Sequence, residues 1–205
     1  MYASVADLRG EGVPVEAVDD TRAALLLQES SRLIDQVTGQ WFAPQARTLR
    51  VPGRGAPSVY PPVPPIALEA ITDFEEDVPL TSVEIVGAPV DPGTDEPRIT
   101  RLRGCFRLGR ANVRLVGWFG YTEADGTAFG RTPLAIRRAT LLLAYRWVVP
   151  IGLGDGAAGR RIIEERTREQ SVRFAEPASG GELTDQPEVD VLLAPYVRRR
   201  RVGVA

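Results

Sequence analysis

Residues 112–123, NVRLVGWFGYTE, decide how this chain is read. Residues 112–120 carry the β-branched and aromatic residues of a strand, and the alternation of side chains along a strand sends part of Trp118, Phe119 and Tyr121 into a core. A few residues later, Arg131-Thr132-Pro133-Leu134-Ala135-Ile136 opens a strongly apolar helix. Thr132 is placed to cap it, and Pro133 stands at the first helical position, where a missing N–H costs least. The segment therefore marks the return from a long β-rich interval to helix.

Backward from that point, residues 41–121 consist of short β-branched runs punctuated by glycine and proline, which suits strands and tight turns. The expected strands are 47–51, 58–60, 67–74, 82–86, 98–102, 105–108 and 112–120. The run Tyr60-Pro61-Pro62-Val63-Pro64-Pro65-Ile66 cannot lie inside a central strand, because proline offers no donor to the ladder. It must cross a sheet edge or join two strands. Further back, Asp19, Asp20 and Thr21 offer caps to a helix in which Leu26, Leu27, Ser30, Leu33, Ile34 and Val37 recur every three or four residues before Gly39 ends it. Ser4, with Asp7 three residues on, predicts a short helical turn broken by Gly10 and Gly12.

Forward from the same point, Ile136, Thr140, Leu143 and Trp147 form one stripe of the next helix, while Leu141, Leu142 and Ala144 make its other faces apolar too. Such a helix is buried on most sides, within the subunit or between subunits. Residues 161–167 are ambiguous between helix and strand, and Ser171-Val172-Arg173-Phe174 alternates as a strand does. Residues 175–186 form a link. Residues 187–196 make a short helix through Val189, Leu192 and Leu193 that Pro195 should stop, and Arg198, Arg199, Arg200 and Arg201 follow.

Composition excludes several chemistries. The chain has no histidine, and all 25 basic residues are arginine. That removes His-based acid/base relays, Ser-His-Asp triads, Lys Schiff bases and His-ligated metals. A GC-rich genome accounts for the missing lysine more readily than a demand for the bidentate contacts of arginine does. With 27 acidic residues the formal net charge is −2, whereas a chain that wraps nucleic acid by itself is usually basic. Cys105 is the only cysteine, so no internal disulfide is possible. At 205 residues, a single domain burying about 70% of its unfolded surface is expected. The N-terminus MYASVADLRGEG lacks the basic and apolar regions of a secretion signal, so a soluble, cytosolic start is expected.

Candidate chemical sites are weak. Asp73, Glu75, Glu76 and Asp77 could suit a hard cation, but they lack EF-hand spacing and read as a solvated turn; Asp91, Asp95 and Glu96 read the same way. Neither Gly117, Gly120 and Gly126 nor Gly152, Gly154 and Gly156 ends in Gly-Lys-Ser/Thr, so no nucleotide loop is expected. Cys105, between Arg103 and Arg107, reads as a packed strand residue rather than a reactive thiol.

Taken together, the 32–39 helix end followed by Trp41-Phe42, Thr48-Leu49-Arg50-Val51, the proline-rich crossing, Trp118-Phe119-Gly120-Tyr121-Thr122, Thr132-Pro133 with its helix, residues 164–174 and Leu192-Leu193-Ala194-Pro195-Tyr196 resemble the head-tail connector (adaptor, or head-completion) proteins of tailed bacteriophages in order and spacing. The resemblance implies an α+β fold: a small helical bundle with a β-rich insertion, roughly residues 41–121, between the second and third helices, and an extended C-terminal arm. The divisions it suggests are a helical connector core of residues 1–40 and 132–174, a β-rich insertion of 41–131, and a linker with docking arm of 175–205. It places a β-hairpin at 164–174, although Arg168-Glu169-Gln170 stands where the family carries a turn glycine.

By the same resemblance the protein is a viral structural part without enzymatic activity or cofactor. It assembles as a ring, dodecameric under a twelve-fold portal, and lies in the virion at the head-tail junction after assembly in the host cytoplasm. Its implied partners are the portal protein, a tail component such as a stopper or terminator, further copies of itself, and double-stranded DNA passing through without sequence-specific contact. No membrane is involved. A channel that must not grip its polyanion should avoid a basic lining, so the arginines are expected at interfaces, paired with acids. Subunit contacts are expected at Leu141, Leu142, Arg146 and Trp147, and portal docking at Leu192, Leu193, Tyr196, Arg198, Arg199, Arg200, Arg201 and Val202. A solvated tail is the plainer reading of the arginine run. The rivals are another junction protein, such as a stopper or tail terminator of mainly β-barrel build, and a carboxylate-dependent hydrolase.

Overall fold

The computed structural model describes residues 1–89, 97–148, 162–166, 171–174, 183–184 and 186–197, the two short segments at 162–166 and 171–174 by their backbone. The fold is α+β: helices α1 (Val5–Gly10) and α2 (Asp20–Thr38), then strands β1–β7, then α3 (Leu134–Val148), a hairpin and α4 (Pro187–Leu193).

The helices begin and end where local chemistry dictates. Ser4 Oγ accepts the Asp7 N–H while an Asp7 carboxylate oxygen accepts the Ser4 N–H, a reciprocal capping box on α1. Asp19 caps α2 by accepting the Arg22 N–H at 2.9 Å, and Gly39 closes it in a left-handed conformation (φ 68°). Ala23, Leu26, Leu27 and Ile34 of α2 are buried, and the hydroxyls of Ser30, Ser31 and Thr38 donate to the carbonyls four residues back. Small residues satisfied in this way let α3 pack closely on α2, and Thr140 does the same on α3.

The start of α3 differs from expectation. The Thr132 hydroxyl does not cap it but donates to the Phe42 carbonyl at 2.8 Å. Glu123 is the cap: its Oε2 accepts the Leu134 N–H at 3.2 Å, and its Oε1 pairs with Arg131 at 2.8 Å. Pro133 lies just before the helix, its carbonyl accepting the first helical bond from Arg137. A carboxylate 11 residues before Leu134 wins because a two-residue antiparallel bridge, Glu123 with Arg131, brings it back to the helix N-terminus.

Between α2 and α3, two antiparallel sheets face each other. One has the order β1 (Gln45–Gly53), β7 (Gly109–Phe119), β3 (Pro65–Asp73), β4 (Glu76–Asp77); the other has β2 (Ser58–Val59), β6 (Arg98–Arg101), β5 (Val83–Val86). Their shared core holds Val51, Val59, Ile71, Ile99, Phe106, Val113, Leu115 and Phe119. The proline run links the sheets, with Pro65 opening β3. Residues 105–108 are not a strand: Phe106 fills the core, while its N–H goes to the Ala56 carbonyl and the Arg107 N–H to Asp73. Cys105 accordingly lies exposed in a loop, not packed in a sheet. Asp73 is not solvated either. It is buried, accepting from the Arg107 N–H (3.0 Å) and Asn112 Nδ2 (3.1 Å) with Arg101 at 3.5 Å.

Strands β8 (Ile162–Arg166) and β9 (Ser171–Phe174) pair antiparallel, which resolves the ambiguity of this segment in favour of a hairpin.

Candidate functional site

The motifs quoted from the sequence meet at one place. Phe42, fully buried, has its ring centroid 5.7 Å from Tyr2, 5.9 Å from Tyr121 and 5.5 Å from Tyr196. The segment before α1, the end of α2, the exit from β7 and the turn after α4 are thereby tied together. Trp41 Nε1 donates to the Phe119 carbonyl (2.9 Å), and Gln40 Nε2 to the Tyr196 carbonyl (2.6 Å). The Tyr2 hydroxyl donates to Asp35 and accepts the Phe42 N–H at 3.0 Å. These groups are spent on holding elements together, and none faces a cleft.

Burial raises the Asp35 carboxyl above its ordinary value despite the Tyr2 hydrogen bond, and burial followed by Asp35 raises the Tyr2 hydroxyl. A raised folded-state value for an acid means that its stabilising contribution is complete below the unfolded value of 3.8 and is lost as pH rises through the folded one. Asp7 runs the other way: the Ser4 N–H, and then Arg137, hold it low, so its contribution is present at neutral pH and is lost as pH falls through the folded value. Asp35→Asn, which still accepts from Tyr2, is expected to remove the loss of stability on going from pH 4 towards neutrality. Urea unfolding at a series of pH values measures it, and an unchanged slope excludes Asp35 as its source.

Among the described residues no group of three His, Cys, Asp or Glu side chains could hold a metal ion, and no helix is long and apolar enough to cross a membrane. Asp91, Asp95 and Glu96 lie outside the described residues. One cleft of about 360 Å³ is lined by Val15, Glu16, Val18, Asp19, Trp147 and Val148, among others. It holds two carboxylates, but Asp19 is engaged as the α2 cap, so no free carboxylate pair for hydrolysis stands there.

The expected interface residues divide. Leu141 is 6% exposed and belongs to the chain's own core with Leu8, Leu26 and Leu27. Leu142 and Trp147 are half-buried and Arg146 is exposed, next to Tyr145 at 58% exposure, which sequence reading passed over. Leu193 and Tyr196 are buried against Phe42, Tyr121 and Ile136, and Leu192 is half-buried. They root the C-terminal segment in this chain. Arg198, Arg199, Arg200, Arg201 and Val202 lie outside the described residues.

No family model matches the chain, and no curated protein does. The solved structures similar to it in fold include two particle necks. A chain in the neck of an empty GTA (gene transfer agent) particle, computed with C6 symmetry, is 18% identical with a TM-score of 0.54, covering 76% of this chain and 81% of that one. A chain in the neck of a native GTA particle, computed with C12 symmetry, is 17% identical with a TM-score of 0.57, covering 97% and 90%.

Proposed function

We propose that the chain is a structural subunit of the neck of a phage-like particle, an adaptor that forms a ring between portal and tail and continues the DNA channel. The observation that carries this reading is the end-to-end likeness of its fold to a neck chain, over 97% of this chain and 90% of that one. The C6 and C12 symmetries of the two particle necks favour a ring of copies in a multiple of six, and a dodecamer fits a twelve-fold portal. The four described helices, packed on one another beside a two-sheet body, favour this reading over the β-barrel build expected of stoppers and terminators.

In this reading α3 presents Leu142, Arg146 and Trp147 to neighbouring copies. The C-terminal segment is rooted by Leu193 and Tyr196 and sends Arg198 to Arg201 towards the portal. Replacing those four arginines with alanine is expected to leave thermal unfolding unchanged, because their root is intact, and to weaken portal binding about tenfold or more. Co-sedimentation with purified portal measures it; equal binding rejects the arm. Deleting the chain from a producing cell tests the whole reading. Filled heads and tails that fail to join are expected, whereas normal joined particles would reject an adaptor role.

A further inference from the structure

Strands β1 and β7, which lie side by side, carry Arg47, Arg50, Arg110 and Arg114 and no acid. Strands β3 and β4, with the turn between them, carry Glu69, Asp73, Glu75, Glu76 and Asp77 and no base. Two of these acids are already engaged: Asp73 is buried, and Glu76 pairs with Arg107. Glu69, Glu75 and Asp77 are exposed, as are the four arginines, and none of the seven has an ion-pair partner among the described residues.

One rung of the four-stranded sheet shows how the two signs are arranged. Arg50 lies directly opposite Arg114, Arg114 opposite Thr72, and Thr72 opposite Asp77. The adjacent pairs, Val51 with Val113 and Leu49 with Leu115, pack in the core, so Arg50 and Arg114 stand on the outer face. Asp77 is on that face too, accepting the Thr72 hydroxyl at 3.4 Å. The rung therefore runs from two cations at one edge of the sheet to a carboxylate at the other, about 14 Å away.

Like charges directly opposite one another in a sheet are destabilising. Charged side chains guard an edge strand against stray pairing, which accounts for Arg50 on β1 but not for Arg114, whose strand lies between β1 and β3. A repulsion carried without an acid partner in the same chain calls for an anion from outside it. Duplex DNA fits poorly, because its phosphates would run on along the rung to Asp77. A short acidic projection fits, and the turn at the opposite edge of the same sheet is one. We propose that Arg50 and Arg114 of one copy bind the Glu75 and Asp77 carboxylates of the next, the two sheets meeting edge to edge. Two different edges joined in this way make a heterologous contact, the kind that closes into a ring. The contact rests on the ring reading above and adds a junction made by the β-rich body to the one at α3.

Charge reversal tests the pairing. One variant carries Arg50→Glu with Arg114→Glu, the other Glu75→Arg with Asp77→Arg. Each alone should lose self-association about tenfold or more by sedimentation velocity, because every junction then sets like charges together. Mixed in equal amounts, the two should assemble again with the two kinds of copy alternating, since each junction now joins opposite charges. Mixing cannot rescue a chain that has failed to fold, so recovery isolates the contact. Arg114→Thr alone should weaken self-association while raising the melting temperature by about 1–2 °C, as the repulsion from Arg50 is relieved.

Variants that form rings as readily as the parent would overturn this contact and leave the ring reading standing. A parent chain that stays dispersed, alone and with its portal, would overturn both. If the mixture fails to recover, or Arg114→Thr lowers the melting temperature, the arginines serve the fold and the proposal falls. It falls equally if reversing Arg50 and Arg114 reduces retention on duplex DNA and leaves self-association unchanged, which would make the rung a nucleic-acid surface.

Discussion

Phe42→Ala is expected to lower the folding free energy by about 3–5 kcal/mol. The ring, which follows α2, is fully buried and contacts tyrosines from three other parts of the chain: Tyr2 before α1, Tyr121 after β7 and Tyr196 after α4. Removing it costs the transfer energy of the ring and leaves a cavity that collapses only in part, because Tyr2 is held by Asp35 through its hydroxyl and Tyr196 by Gln40 through its carbonyl. The backbone bonds of residue 42, from its N–H to Tyr2 and from Thr132 to its carbonyl, survive the change, so the loss isolates the side chain. Urea denaturation gives the number. A loss below about 1 kcal/mol, comparable to a surface substitution, would show that the four elements do not converge on this ring.

Gly117→Ala is expected to be about as damaging, by 3 kcal/mol or more, through crowding rather than a void. A Cβ at residue 117 would lie 2.2 Å from the Ala67 carbonyl oxygen and 2.9 Å from the Leu68 Cα. Both obstacles are backbone of the neighbouring strand, at the place where the β3–β7 register shifts. Neither can rotate away, so the ladder must open next to Phe119 and Trp118. Thermal unfolding measures the effect, and a variant within 2 °C of the parent would show that the strands are further apart there than described.

These two positions also show what could be read in advance. Trp41-Phe42, the glycine-aromatic run of β7 and the closing Leu192-Leu193-Ala194-Pro195-Tyr196 stood out as motifs, and α2 was bounded correctly by Asp19 and Gly39, because caps and periodicity are local signals. That the motifs touch one another was not legible, since each contact joins residues about 40 to more than 150 positions apart, as Gln40 with Tyr196 illustrates. The same limit explains the errors. Residues 105–108 alternate like a strand, yet their donors are satisfied by Ala56 and by a carboxylate, Asp73, which a pattern of charges placed in solvent. Thr132 is a good cap by type, but Glu123 reaches the helix first through a bridge that only the folded chain forms.

The carboxylates and hydroxyls that might have suggested catalysis are engaged in structure: Asp35 with Tyr2, Asp73 with Arg107 and Asn112, Asp19 with α2 and Asp190 with the N–H groups of Leu183 and Thr184. What remains outward is apolar surface next to unpaired charge, which suits assembly.

Electron microscopy of the purified chain, alone at high concentration and mixed with the portal of its own particle, tests the ring most directly. Closed rings of a multiple of six copies, seated coaxially on the portal, are the expected result. Single copies that remain dispersed in both preparations, with portals left bare, would contradict it.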